Sequence, residues 1–157
     1  MKLYIHQQLF RLTDTYDIYD EHGNQKYYAK CDFALLLHSL RVYDKNEQFG
    51  HVEQQLSLFM PKFDFYMNNQ YLGNIIKEFT FFYPAYRMDF NGWRIDGDFL
   101  DLDYKVYDSS GNVVMTFYKE IFTLGDKYCL DIKDEKHERL CVLIALAVDM
   151  AICSKKK

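Results

Sequence analysis

From Leu140 to Cys153 every residue except Asp149 is apolar. No other feature of the chain narrows its possible folds as far. The segment before it, Asp131-Ile132-Lys133-Asp134-Glu135-Lys136-His137-Glu138, reads as a helix start. Asp131 or Asp134 can cap, and acids in the first turn complement the helix dipole. A helix that is apolar on every side has to be surrounded, by protein or by lipid. At a rise of about 1.5 Å per residue the run is about 21 Å long, short of the ~30 Å hydrocarbon core of a bilayer. Asp149 would add about 2.5–3.5 kcal/mol near a bilayer centre. The expectation is a buried core helix over about 134–153 and no transmembrane segment. Lys155, Lys156 and Lys157 suit a helix C-terminus through its dipole, and they also flank the run as a tail anchor would.

The chain before this helix has the period of strands. His51, Glu53, Gln55 and Ser57 alternate with Val52, Gln54, Leu56 and Leu58. Phe63, Phe65 and Met67 oppose Lys62, Asp64 and Tyr66. Val113, Met115 and Phe117 oppose Val114, Thr116 and Tyr118, a stretch that reads as covered on both sides. The period is two, not 3.6. Turn signals recur at hairpin spacing: Tyr19-Asp20-Glu21-His22-Gly23-Asn24 is echoed by Tyr107-Asp108-Ser109-Ser110-Gly111-Asn112. Asn91-Gly92 predicts a two-residue hairpin turn with positive φ at both positions, and Gly125-Asp126 predicts another turn.

One stretch slips phase. Trp93, Ile95, Gly97 and Phe99 hold odd positions, whereas Leu100, Leu102, Tyr104 and Val106 hold even ones. A one-residue slip exchanges faces, so a bulge, bend or strand break is required near Phe99-Leu100. A meander of about a dozen strands does not stay open and flat, and closing it removes the edges. A barrel of that size has a lumen too wide for wall side chains to fill. The apolar helix has the shape to fill it. The predicted fold is mainly β: a closed antiparallel barrel of about twelve strands around a buried C-terminal hydrophobic helix, with residues 1–157 forming one domain.

Composition bounds the function classes. Tyr, Phe and Trp number 14, 13 and 1, a load that suits half-buried strands. The net charge of −4 gives no general attraction to nucleic acid or anionic membrane. Met1 to Gln8 lacks the apolar core of a signal peptide, so a cytoplasmic location is expected. Cys31, Cys129, Cys141 and Cys153 show no C-x-x-C spacing and read as reduced, buried residues.

The pieces together resemble the LURP-one-related (LOR) family, which has the tubby C-terminal-like fold and is distantly similar to phospholipid scramblases. The resemblance runs over essentially the whole chain. It rests on Tyr4-Ile5-His6-Gln7-Gln8-Leu9-Phe10, the two Tyr-Asp turns, Val52-Glu53-Gln54-Gln55-Leu56 and Phe79-Thr80-Phe81-Phe82-Tyr83-Pro84. It rests also on Trp93-Arg94-Ile95-Asp96-Gly97-Asp98-Phe99 and the Asp-rich start of the apolar helix. It implies a closed barrel of about twelve antiparallel strands around a central helix, in agreement with the strand count argued above. Tubby relatives bind phosphoinositide headgroups through surface Lys and Arg, but no cluster in this chain matches theirs residue by residue.

No P-loop, nucleophile elbow, zinc spacing or dinucleotide fingerprint is present. His6, His22, His38, His51 and His137 are scattered. Asp89, Asp96, Asp98, Asp101, Asp103 and Asp108 are the best candidates for chemistry, since carboxylates on one strand face suit Ca²⁺ or Mg²⁺. A solvated strand face with edge protection is the favoured reading of them, and hairpin geometry explains Asp20-Glu21-His22-Gly23-Asn24. The expectation is no catalytic residue, no cofactor and no metal. Lys2, Arg11, Lys26, Lys30, Arg41, Lys62, Lys77 and Arg87 are dispersed in sequence and could converge on one barrel wall. Three function classes stay open: a non-enzymatic binding or scaffold module with a protein partner, a peripheral binder of anionic lipid headgroups, and an enzyme or carrier that uses the barrel interior.

Overall fold

The computed structural model describes residues 1–9, 13–33, 37–57, 62–78, 85–98, 103–120 and 127–153. Among them lie twelve strands: β1 Lys2–Leu9, β2 Thr13–Tyr19, β3 Gln25–Phe33, β4 His38–Asp44, β5 Glu47–Gln55, β6 Lys62–Met67, β7 Gln70–Glu78, β8 Ala85–Met88, β9 Arg94–Asp98, β10 Asp103–Tyr107, β11 Val113–Glu120 and β12 Lys127–Ile132. Each pairs antiparallel with its neighbours in sequence, and β1 closes on β12 to complete a barrel. The closing seam sets Leu3 against Leu130 and Ile5 against Tyr128. Ile132 N donates to the Met1 carbonyl at 2.9 Å, and the Met1 amine returns a bond of 2.9 Å to the Ile132 carbonyl.

Period two explains which residues point inward. Leu3 and Ile5 on β1, Tyr16 and Ile18 on β2, Leu40 and Val42 on β4, and Phe63 and Phe65 on β6 all join one core. The phase slip resolves as a strand break. Ile95 on β9 lies opposite Val106 on β10, and Gly97 lies opposite Tyr104. This antiparallel register pairs odd positions with even ones, so both sets face the same lumen. Phe99 to Leu102 lie outside the described residues, as do Leu58, Phe79 to Pro84, Gly125-Asp126 and Lys155 to Lys157. Leu56 departs from its alternation: it lies one residue past the end of β5 and is 78% exposed.

The helix α1, Glu138–Cys153, follows a 3-10 turn at Glu135–His137. The cap is Asp134, whose side chain accepts from Lys136 N at 3.1 Å. The α-helix therefore starts four residues later than the acids suggested, because the capped first turn is wound as 3-10. Leu143, Ile144, Leu146, Ala147 and Met150 lie on different helix faces, yet none is more than 1% exposed. The helix occupies the lumen, as expected of an element apolar on every side. It lies close against the wall at Gly50 of β5, where a Cβ would collide with the Leu143 side chain.

Asp149 is the one carboxylate among the buried residues of α1. The Tyr16 hydroxyl donates to its Oδ2 at 2.7 Å. Tyr16→Phe removes a buried hydrogen bond and is expected to cost about 1–3 kcal/mol. A denaturant titration showing no loss would mean that the bond contributes nothing net.

Candidate functional site

The core comes to the surface at the barrel end where α1 enters. Met67, Leu72, Phe90 and Leu140 pack against the core but are only partly buried. They line a cavity of about 470 Å³. Tyr27 of β3 and Asn91 of the β8–β9 turn add to its wall, and residues 135–140 close it from the helix side.

Three local devices place these side chains. The β6–β7 turn is made by Asn68 and Asn69, both at positive φ (49° and 62°), a conformation that Asn tolerates better than most residues. Asn68 N donates to the Phe49 carbonyl at 2.8 Å, which fastens the hairpin to β5. Gly73 follows a register shift in β7 and has φ 143°. A Cβ there would lie 2.5 Å from Asp89 Oδ1 and 2.6 Å from Phe90 Cβ, so glycine is what lets the β8–β9 turn lie against β7. Asp89 then locks the contact: its Oδ1 accepts from Asn74 N at 2.7 Å, and its own N donates to the Asn74 carbonyl at 3.1 Å.

The rim is polar and internally paired. Glu138 Oε1 lies 2.6 Å from Lys26 Nζ and accepts from the Tyr27 hydroxyl at 2.9 Å. Burial first, and the Glu138 charge second, push the Tyr27 phenol well above its usual range, so it stays a donor. Arg139 donates to Asp44 Oδ2 at 2.8 Å, and its guanidinium carbon sits 4.9 Å from the Phe49 ring centroid. His137 meets the edge of Trp93 at 4.9 Å. Trp93 is the single tryptophan of the chain, so its emission reports on this mouth. An apolar floor inside a paired polar rim can hold an apolar group. Among the described residues that line the cavity, no Cys or Ser stands beside a base as a nucleophile would.

Comparison with known proteins decides the family. The LOR family model, described as LURP-one-related, matches residues 1–149. The chain belongs to the LURP-one-related family. A similar protein is "Uncharacterized protein YxjI" of Bacillus subtilis (strain 168), 27% identical over 153 residues, covering 97% of this chain and 94% of the relative. No solved structure matches.

This LOR barrel does not bring the acidic candidates to one place. Asp89 is in the β8–β9 turn against β7. Asp96 is opposite Lys105, and Asp98 is opposite Asp103, across the β9–β10 pair. Asp108 belongs to the β10–β11 turn, and Asp101 lies outside the described residues. Among the described residues no group of three or more His, Cys, Asp or Glu could hold a metal ion.

The two Tyr-Asp turns are built alike. Asp20 Oδ1 accepts from His22 N at 2.9 Å and Asn24 N at 2.8 Å, and Oδ2 accepts from Asn24 Nδ2 at 3.0 Å. Asp108 takes the same bonds from Ser110 N, Asn112 N and Asn112 Nδ2, at 2.9, 2.9 and 3.0 Å. The Asn24 and Asn112 side chains are the main reason both carboxyls sit below their usual range. A depressed carboxyl contributes stability that is present above the unfolded-state value of about 3.9 and lost as pH falls through the lower folded value. Acid titration of the melting temperature is therefore expected to show a smaller drop in that window for Asp20→Ala/Asp108→Ala than for wild type. Equal drops would show that these turns carry no pH dependence.

The LOR chain's basic residues are spread round the wall. Lys2 faces Asp131 across the β1–β12 seam. Lys30 and Arg41 are cross-strand neighbours on β3 and β4, and Arg41 pairs with Asp32 at 2.5 Å. Lys62 lies 4.0 Å from Asp64 on β6, and Arg87 on β8 faces Arg94. Lys26 is at the cavity rim. Arg11 and the Lys77 side chain lie outside the described residues. Cys31, Cys129 and Cys141 are buried, and Cys129 and Cys141 are in no disulfide. Among the described residues no helix is long and apolar enough to cross a membrane.

Reading the sequence missed the cavity itself. Tyr27 of β3, Leu72 of β7, Phe90 of the β8–β9 turn and His137 of the 3-10 turn come from four separate elements, and each looks locally like an ordinary strand or turn residue. The nearest local signals are the unusual run Asn68-Asn69 and Gly73 within a strand-length segment, where glycine marks a bulge or a close backbone approach.

Proposed function

We propose that this protein is a non-enzymatic binding module that captures an apolar group of a partner protein in the cavity beside Leu72 and Phe90. The observation that carries the reading is the position of α1. Its buried residues occupy the lumen that an interior enzyme or carrier site would need, and the apolar core is open instead at the mouth. The pairing of Lys26 with Glu138 and of Arg139 with Asp44 supports a preformed rim. The same proposal takes the barrel to be of the tubby C-terminal-like kind, distantly similar to scramblases, which the closed antiparallel wall around a C-terminal helix supports. It places the protein in the cytoplasm, which the buried thiols of Cys129 and Cys141, outside any disulfide, support.

The test uses Nile red, an uncharged apolar dye, with wild-type protein and Leu72→Arg. Wild type is expected to bind the dye and to change Trp93 emission. Leu72→Arg should lose about tenfold in affinity, equivalent to ~1.4 kcal/mol, while keeping a cooperative melt. Absence of dye binding by folded wild type overturns the cavity as a binding site. The second reading, a peripheral binder of anionic lipid headgroups, is favoured by the exposed cross-strand pair Arg87 and Arg94.

A further inference from the structure

We infer that Asn91 is a self-modifying residue: the Gly92 nitrogen attacks its side-chain amide, and the isoaspartate that results reshapes the mouth of the cavity. Water is the only co-reactant, and the reaction is independent of what the cavity binds.

Among the asparagines of the chain, Asn91 alone is followed by glycine. Glycine carries no Cβ to obstruct the approach of its own nitrogen to a neighbouring carbonyl. The fold supplies the rest. Trp93 N donates to Asn91 Oδ1 at 3.0 Å. The oxygen that gains charge under attack therefore already holds a donor, an arrangement that stabilises an oxyanion. A bond from residue 91 to residue 93 also spans the Gly92 nitrogen and folds the side chain toward it. Among the described residues no group accepts from Gly92 N, which sits in the β8–β9 turn and not in a strand ladder. The Asn91 side chain bonds through its oxygen, which leaves Nδ2 without a partner among the described residues. Gly92 is exposed, so water reaches the turn. Asn24 and Asn112 are the contrast. Each commits its Nδ2 to an Asp carboxylate, and the residues after them, Gln25 and Val113, open strands β3 and β11.

In the first step a bond forms from Gly92 N to Asn91 Cγ. The bond from Cγ to Nδ2 breaks, and that nitrogen leaves as ammonia with the proton from Gly92 N. The product is a five-membered imide. Water then opens it. Opening at Cγ gives aspartate. Opening at the former backbone carbonyl gives isoaspartate, whose chain runs through Cβ and Cγ and is one methylene longer. Nothing is oxidised or reduced.

The turn has no slack for that methylene. Asp89 is tied to Asn74 on β7, and Met88 N donates to the Trp93 carbonyl at 3.1 Å. The added length falls on Phe90, Asn91 and Trp93. Phe90 and Asn91 line the cavity, and Trp93 meets His137 edge-on at 4.9 Å.

The test incubates folded wild-type protein in mildly alkaline and mildly acidic buffer. Peptide mapping by mass spectrometry follows Asn91. Isoaspartate is counted by methyl transfer from S-adenosylmethionine with an isoaspartyl methyltransferase, and Trp93 emission is recorded in parallel. The peptide that holds Asn91 is expected to lose ammonia before those that hold Asn24 and Asn112. Its rate should rise with pH, because the attacking nitrogen must give up its proton. Isoaspartate should be the main product, and Trp93 emission should shift in step with it. Asn91→Gln should show neither the product nor the drift in emission. Asn91 that stays intact in the folded protein while it converts in the chain unfolded by urea overturns the inference, because the fold then protects the site. Conversion with unchanged Trp93 emission overturns the coupling to the mouth.

Discussion

Leu146→Asp is expected to abolish the cooperative folding transition. Leu146 is 1% exposed in the middle of α1, inside the closed wall. Removing a buried leucine side chain alone costs about 2–5 kcal/mol. A carboxylate in its place adds a desolvation penalty of several kcal/mol even after relaxation. Together these approach or exceed the ~5–15 kcal/mol that holds a typical domain folded. Thermal melts followed by circular dichroism decide the matter, with Leu146→Ala as the graded control at about 2–5 kcal/mol. A melting temperature within a few degrees of wild type would exclude a buried position. Asp149, one turn further along the same helix, is no counterexample, because the Tyr16 hydroxyl donates to it at 2.7 Å.

Gly73→Ala is expected to damage stability and the cavity together. Its φ of 143° is one that side-chain-bearing residues rarely adopt, and the new Cβ would lie 2.5 Å from Asp89 Oδ1 and 2.6 Å from Phe90 Cβ. Relief requires the β8–β9 turn to lift from β7, breaking the 2.7 Å bond from Asn74 N to Asp89 and withdrawing Phe90 from the cavity. Backbone strain and the steric shift together cost about 2–4 kcal/mol. Gly111→Ala is the matched control: its φ is 85°, yet nothing lies within 4 Å of the added Cβ, so only the conformational cost of about 1 kcal/mol remains. Denaturant titration gives the stability difference, and Nile red binding should fall for Gly73→Ala but not for Gly111→Ala. If the two variants behave alike, the close approach at Gly73 does not organise the mouth.

The barrel was legible because its two periods are written without ambiguity. Leu40 and Val42, or Phe63 and Phe65, repeat every second residue and are buried as read. The run from Leu140 has no polar face to turn outward, so only enclosure could satisfy it. Shorter-range features were harder to read. Asn91-Gly92 predicts a tight two-residue turn, whereas the connection runs from Asp89 to Gly92 and is closed by Met88 N on the Trp93 carbonyl at 3.1 Å. Only Gly92 has positive φ there, at 70°, because the Asn91 side chain accepts from Trp93 N at 3.0 Å and holds the turn open. The wall makes room for the helix at Gly50 against Leu143, a contact that neither segment announces. The cavity was invisible for a related reason: its residues are neighbours only after β3, β6, β7, the β8–β9 turn and the helix entry have been brought together.

The order of elements along the chain has a consequence for how such a molecule is made. The wall closes by joining β1 to β12, the first strand to the last, and the element that fills the lumen comes after both. During synthesis the early hairpins therefore emerge with their inward-facing Tyr16, Leu40, Phe63 and Phe65 uncovered. Nothing made before α1 can cover them all. Contacts that wait on such distant segments make folding slow and leave intermediates prone to association. Truncation within the helix should thus yield an aggregating chain rather than a smaller stable barrel.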